Sequence, residues 1–285
     1  MLTDQLKKVL IPDKHDNHMG DELHDNWGAQ ALSDKTIWVS GTQGASLAVR
    51  VLAGQLPRVV FLGGFRSDMD GTKAQYLSEW CTKRNQAFLR FDYSGHGLSG
   101  GHFEQGTISR WTADALDVIR DQAGGPCVLV GSSMGGWIML HAALALGQQV
   151  KGLLGVAAAP DFTRNLVSQE MDDAQRDELA STGRVHLSSD YDPKGYPITE
   201  ALISDGETQC LLDWPVRISA PVRLLQGFAD TEVPWRTALR LSKALAAQDV
   251  RVQLLKDGDH RLSSPAQLDL LGVTLAELLE TVSQD

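Results

Sequence analysis

The strongest constraint on the fold is a regular alternation of short apolar runs with amphipathic segments. Residues 58–64 (RVVFLGG) and 127–132 (CVLVGS) form continuous apolar runs, as expected for strands buried on both faces. Between them, residues 107–122 place apolar side chains on one face of a helix. Strand–helix alternation of this kind predicts βαβ units, a parallel sheet and right-handed crossovers.

The alternation covers most of the chain and begins with a hairpin after residue 35. We predict strands at 36–41, 46–53, 58–64, 87–95, 127–132, 150–159, 222–228 and 250–255. We predict helices at 72–84, 107–122, 134–146 and 235–247, and a last helix near the C-terminus. The expected fold class is therefore α/β, with a mostly parallel eight-stranded sheet flanked by helices.

The alternation is interrupted between residues 161 and 215. This segment has charged helical stretches and loop signals such as DYDPKGYP, but no clear strand. Insertions of this length in a compact domain usually serve a function, often as lids. We therefore expect a mainly helical cap at 161–215, inserted into a core formed by 36–160 and 216–285, with an N-terminal arm at 1–35.

The N-terminal arm is polar and acidic, and it contains His15, His18 and His24. Imidazole and carboxylate groups can bind metal ions, but this spacing matches no standard metal-binding pattern. We interpret the segment as a solvated arm, and we predict no metal site and no cofactor.

The overall charge argues against nucleic acid as a partner. The formal net charge is −10, which does not suit binding by phosphate neutralisation.

No apolar run is long enough to cross a bilayer. The chain has three cysteines, which are Cys81, Cys127 and Cys210. An odd number at wide spacing favours reduced thiols over a disulfide framework. Since the first residues resemble neither a signal peptide nor a mitochondrial presequence, we expect a cytoplasmic protein.

A candidate nucleophile lies between the strand at 127–132 and the helix at 134–146. Residues Gly131-Ser132-Ser133-Met134-Gly135 fit the pattern G-x-S-x-G, in the strand–turn–helix context that the motif requires. Glycines two residues before and after the serine remove the Cβ atoms that would collide in so tight a turn. This spacing selects Ser133 over Ser132 as the nucleophile.

A serine hydroxyl needs a base and an orienting acid to act as a nucleophile. His260 follows the last predicted strand on a loop, and we expect it to be the base. Asp230 ends the preceding strand and is the favoured acid, with Asp161 as the alternative. Asp259 directly precedes His260 in the sequence and is poorly placed to hydrogen-bond the imidazole of His260. Glu232 is interpreted as a surface or lid contact.

The transition state of acyl transfer needs donors for a developing oxyanion. One expected donor is the main-chain N–H of Met134, directly after the nucleophile. The other comes from the loop that follows the strand at 58–64, where Gly63-Gly64 lets the Phe65 N–H face the site. His96 and His141 are interpreted as packing residues.

Five stretches occur in one order: GGF, DYSGHGLS, GSSMGG, GFADTEVPW and GDH. As a set they resemble the α/β-hydrolase superfamily over residues 36–284. Within it, the sequence is similar to the abhydrolase-domain group of palmitoyl-protein thioesterases and mycophenolic acid acyl-glucuronide esterases. This resemblance implies that Ser133, Asp230 and His260 form a catalytic triad and that residues 161–215 form the cap.

The implied activity is hydrolysis of carboxylic ester or thioester bonds through an acyl-enzyme. The substrate would be a small-molecule ester, an acyl thioester or an acylated protein, and no cofactor would be needed. A serine peptidase or a carbon–carbon bond hydrolase would use the same triad, and a ligand-binding protein could share the fold. The sequence does not indicate the oligomeric state, the acyl-chain length or the leaving group.

Overall fold

A computed structural model describes residues 35–189 and 192–283. The predicted arm at 1–35, with its three histidines, lies almost wholly outside the described residues. In the described part the strands, in chain order, are β1 (Ile37–Ser40), β2 (Ser46–Leu52), β3 (Gln55–Leu62), β4 (Gln86–Phe91), β5 (Cys127–Ser132), β6 (Val150–Val156), β7 (Arg184–Ser189), β8 (Asp192–Thr199), β9 (Val222–Gly227) and β10 (Val250–Leu255).

Eight of these strands form one sheet in the order β1-β2-β4-β3-β5-β6-β9-β10. The β1–β2 hairpin and the β2–β4 pair are antiparallel, and the other pairs are parallel. β5 lies in the middle, between β3 and β6. The prediction of a mostly parallel eight-stranded sheet is confirmed.

The α-helices of the described chain are α1 (Thr72–Lys83), α2 (Ile108–Gln122), α3 (Met134–Leu146), α4 (Phe162–Asn165), α5 (Asp173–Thr182), α6 (Glu200–Thr208), α7 (Arg236–Ala244) and α8 (Pro265–Val282). A π-helical turn, Leu166–Glu170, continues α4. Within these helices, none is long and apolar enough to cross a membrane.

The sheet is buried on both faces, which explains the continuous apolar runs. Along β3, Val59 and Phe61 pack in one core with α1 and α8, whereas Val60 and Leu62 pack in the other with α2 and α3. Successive side chains of a strand point to opposite faces of the sheet, so a strand covered by helices on both faces needs apolar side chains at every position. Trp111 and Trp137 are fully buried in the core beside α2 and α3.

The segment between β6 and β9 differs from the sequence prediction. It contains helices, as expected, and also an antiparallel hairpin of β7 and β8 where no strand is predicted. Gly195 and Pro197 gave this region the composition of a loop, but a two-stranded hairpin has open edges that accept a proline. In β7, buried Val185 and partly buried Leu187 lie on the same face of the strand.

Candidate active site

Ser133 lies on a sharp turn between the end of β5 and the start of α3. Its φ is 54° and its ψ is −123°, a conformation that costs energy for any residue with a Cβ. Hydrogen bonds fix the turn: the Ser133 N–H donates to Val156 O at 3.0 Å, and its carbonyl accepts from the Gly136 and Ala159 amides. The turn therefore presents the Ser133 hydroxyl at the carboxyl end of the sheet.

The flanking glycines are required by close backbone contacts. A Cβ on Gly131 would lie 2.5 Å from the carbonyl oxygen of Gly135. A Cβ on Gly135 would lie 2.1 Å from the carbonyl oxygen of Leu62, at the end of β3. The spacing that singled out Ser133 in the sequence thus reflects close packing on both sides of the turn.

The loops after β9 and β10 bring two further side chains to Ser133. His260 Nε2 lies 3.0 Å from Ser133 Oγ, and His260 Nδ1 lies 3.0 Å from Asp230 Oδ2. Since a carboxylate only accepts, Nδ1 carries the proton and Nε2 is free to accept from the serine hydroxyl. The structure brings together all three side chains that were selected from the sequence.

The Asp230 carboxylate is held by several donors in addition to His260. Its side chain is fully buried. Oδ1 accepts from the amides of Glu232 and Val233, at 2.9 and 2.8 Å, and Oδ2 accepts from Gln226 Nε2 at 2.8 Å. These bonds fix the plane of the carboxylate and so the direction in which Oδ2 faces the imidazole.

The other acidic residues considered in the sequence have different contacts. Asp161 accepts from the amides of Leu211 and Leu212 and is not bonded to His260. Asp259 accepts from the Leu262 amide. Glu232, by contrast, is more than a surface or lid contact, because its Oε2 lies 3.4 Å from His260 Nε2.

The loop after β3 lies against Ser133. A Cβ on Gly64 would be 3.3 Å from Ser133 Cβ, so only a glycine allows this approach without displacement. The amides of Phe65 and Met134 make no hydrogen bond with another described residue. The Met134 amide also belongs to the first turn of α3, where unpaired amides and the helix dipole favour negative charge.

A cavity of about 390 Å³ opens at Ser133 and His260. Its size is typical of small-molecule sites. Apolar side chains from the segment between β6 and β9 contribute to its lining, namely Phe162, Leu166, Leu187, Tyr196 and Ile198. Charged residues also line it, namely Arg66, Asp68, Lys73, Glu170, Glu232 and Arg261.

Of these charged residues only Glu232 was considered in the sequence, and two of the others, Lys73 and Glu170, have shifted pKa values. Burial lowers the pKa of Lys73 to about 8, and the Arg261 charge adds to this effect while Asp259 opposes it. Burial raises the pKa of the Glu170 carboxyl, and the nearby Glu232 charge raises it further. Neither residue belongs to a motif, so only their positions in the fold bring them to the cavity.

The segment over the cavity is joined to the core by partly buried polar contacts. Trp137 Nε1 and His141 Nε2 both donate to the carbonyl oxygen of Gln209, at 3.1 and 3.0 Å. The Asp205 carboxylate accepts from both the amide and the hydroxyl of Ser109. Within 35–189 and 192–283, no group of three or more His, Cys, Asp or Glu side chains could hold a metal ion.

Comparison with known proteins agrees with this architecture. Residues 57–191 match the serine aminopeptidase S33 family. Palmitoyl-protein thioesterase ABHD10 of Bos taurus is 40% identical over 241 residues, covering 84% of this chain and 78% of that protein. The solved structure of mouse alpha/beta hydrolase domain-containing protein 10 superposes with a TM-score of 0.81 at 38% identity, covering 87% of this chain and 99% of that one.

The comparisons contradict the expected location. The ABHD10 relatives from cow, mouse, orangutan, human and rat are all named mitochondrial, so the prediction of a cytoplasmic protein is wrong. That prediction relied on the first residues, which are acidic and resemble no presequence, and this composition does not identify the compartment.

The relatives confirm the predicted enzyme class, an ester or thioester hydrolase. Mouse ABHD10 is 40% identical over 84% of this chain and 80% of its own length. The fold and these identities lead to one conclusion. The chain belongs to the α/β-hydrolase superfamily, in the family of the ABHD10 palmitoyl-protein thioesterases.

Proposed function

We propose that this chain cleaves carboxylic ester or thioester bonds by nucleophilic attack of Ser133. The observation that carries the proposal is the continuous hydrogen-bonded chain from Ser133 Oγ through His260 to Asp230, with both links at 3.0 Å. His260 Nε2 takes the serine proton as Oγ attacks the carbonyl carbon, and Asp230 stabilises the resulting imidazolium.

The amides of Phe65 and Met134 are the proposed donors to the oxyanion. Loss of one such donor typically lowers the rate by about 10²- to 10³-fold. His260 returns its proton to the leaving alcohol or thiol, which leaves an acyl group on Ser133. A water molecule, deprotonated by the same nitrogen, then hydrolyses the acyl-enzyme.

Residues 161–215 are the proposed cap over this site, and 36–160 with 216–285 the proposed hydrolase core. The cap contributes apolar side chains to the cavity, Phe162 and Tyr196 among them, which suits a hydrocarbon acyl group. The ABHD10 relatives are named palmitoyl-protein thioesterases, and this supports an acylated cysteine thioester as the substrate.

A second candidate activity is hydrolysis of acyl glucuronides. It is supported by Arg66 and Lys73, which line the cavity and would suit the carboxylate of a glucuronide. A peptidase activity is an outcome of the same test, since residues 57–191 match the serine aminopeptidase S33 family.

The experiment measures kcat/KM on four matched substrates with the same acyl chain: a cysteine thioester, a p-nitrophenyl ester, an acyl glucuronide and an amide. A series of chain lengths is used for the thioester. We expect thioester and ester hydrolysis in the wild type and none with Ser133→Ala. Faster cleavage of the amide than of the thioester would overturn the proposal, as would hydrolysis that survives Ser133→Ala.

A further inference from the structure

The main chain directly after Phe65 is strained. Arg66 has a φ of 56°, in the left-handed region that residues with a Cβ seldom adopt. The turn is closed by a hydrogen bond from the Ser67 amide to the Gly64 carbonyl at 3.1 Å. Because such a conformation is unfavourable for a residue with a Cβ, the surroundings must hold it in place.

His96, on the loop after β4, holds this turn. Its Nε2 accepts from the Arg66 amide at 3.3 Å, and its Nδ1 donates to the Ser94 carbonyl at 3.2 Å. An amide only donates and a carbonyl only accepts, so the ring must be neutral with its proton on Nδ1. Burial lowers the pKa of His96 to about 4, helped by the Arg66 charge and opposed by the Ser94 bond.

The ring of His96 has little freedom to turn. It is 4% exposed and packs edge-on against three aromatic rings. The ring centroids of Tyr93, Phe103 and Trp111 lie 5.6, 5.1 and 5.2 Å from that of His96. A fixed, neutral imidazole therefore presents one acceptor to one main-chain amide.

The geometry points to His96 as the positioning residue for the Phe65 amide. This inference rests on the proposed function, in which the Phe65 N–H binds the oxyanion. The hydrogen bond between the Arg66 amide and His96 holds the peptide group that joins Phe65 to Arg66 in one orientation. Gly64, on the other side of Phe65, is held against Ser133. Errors of about 1 Å in a catalytic group can lower the rate by about 10²-fold, so both restraints matter.

Two substitutions at His96 separate this role from simple packing. His96→Phe keeps a flat ring among the aromatic neighbours but removes the acceptor. His96→Gln removes the ring but can place its amide oxygen near the position of Nε2. Rates are measured per active site, with the folded enzyme counted by titration with a covalent serine-directed phosphonate.

We expect kcat of His96→Phe to fall by about 10- to 100-fold with KM nearly unchanged, and His96→Gln to retain more activity. The affinity of a trifluoromethyl ketone, which forms an oxyanion on the serine, should weaken by the same factor as kcat/KM. A role in packing alone predicts the reverse order, with His96→Gln the poorer enzyme, and that result would overturn the inference.

Failure of this inference is distinguishable from failure of the proposed function. If Ser133→Ala abolishes hydrolysis while His96→Phe retains the wild-type kcat and inhibitor affinity, only the role of His96 is wrong. If hydrolysis survives Ser133→Ala, the proposed function itself is wrong.

Discussion

The ammonium group of Lys73 donates a 2.5 Å hydrogen bond to the carbonyl oxygen of Arg261, the residue that follows His260. Lys73 lies in the first turn of α1, and its Nζ is also 3.4 Å from Ser263 Oγ. The contact therefore joins a helix near the N-terminal end of the core to the loop that presents His260.

Lys73 should leave a signature in the pH dependence of stability. Its pKa is about 8 in the folded protein and 10.5 when unperturbed, so between these values the unfolded chain binds more protons. The contribution of Lys73 to the free energy of unfolding must therefore rise with pH across this window. Urea unfolding measures this free energy at pH about 7 and at pH about 10. The free energy of unfolding of the wild type minus that of Lys73→Met should be larger at the higher pH.

The matched control is Lys151→Met, because Lys151 is exposed on β6. The increase with pH should be larger for Lys73→Met than for this control. A Lys73 difference that is flat or decreases with pH would contradict the assignment.

Asp230→Asn should lower kcat by about 10³- to 10⁴-fold. The Glu232 and Val233 amides would hold the asparagine oxygen at the position of Oδ1. The amide nitrogen would then face His260 Nδ1, which forces the proton onto Nε2 and removes the base for Ser133. Steady-state kinetics on a p-nitrophenyl ester measures this effect, and exposed Asp257 provides the control variant Asp257→Asn. Equal losses in both variants would contradict the role of Asp230.

Gly135→Ala should destabilise the fold by about 3 kcal/mol or more. The added Cβ would lie 2.1 Å from the Leu62 carbonyl oxygen and 2.4 Å from that of Gly63, and neither backbone atom can move aside cheaply. Gly100→Ala is the comparison, since its Cβ would be 3.6 Å from the nearest atom. Thermal unfolding of both variants tests this, and a Gly135→Ala midpoint equal to that of Gly100→Ala would refute the packing argument.

Asp161→Asn should loosen the segment 161–215 from the core. The Asp161 carboxylate joins the two ends of this segment, since it accepts from the Leu211 and Leu212 amides at 2.8 and 2.9 Å. An asparagine can satisfy only one of them, and an unpaired buried amide costs about 1–3 kcal/mol. Hydrogen exchange should accelerate across 161–215 and not in β5.

Asp173→Asn serves as the comparison, because the Asp173 side chain is 96% exposed and bonds only to Arg176 within the described contacts. Unchanged exchange in Asp161→Asn, or equal acceleration in both variants, would argue against a clamp at Asp161.

The sheet and the grouping of Ser133, Asp230 and His260 were predictable for specific physical reasons. Strands buried on both faces, such as β3 and β5, must be apolar throughout, and this pattern is visible in the sequence. The tight turn at Ser133 requires glycines at fixed spacing. Parallel strands end at one edge of the sheet, so residues after β9 and β10 meet there.

Other features depend on contacts between residues that lie far apart in the sequence and belong to no recognisable pattern. The β7–β8 hairpin was missed because Gly195 and Pro197 are typical of loops. Lys73 lies 188 residues before its partner Arg261, and a lone lysine in a helix carries no signal of such a contact. The approach of Glu232 to His260 likewise depends on how the Asp230 loop turns, which spacing alone does not determine.

The most direct test of the central claim is labelling by a fluorophosphonate probe, which reacts with activated serines. Wild type, Ser133→Ala and Ser132→Ala are compared, and the labelled peptide is identified by mass spectrometry. Ser132 is the matched control because it precedes Ser133 at the end of β5 and has no bond to His260. We expect labelling at Ser133 in the wild type and in Ser132→Ala, and none in Ser133→Ala. Labelling that persists in Ser133→Ala would contradict the assignment of the nucleophile.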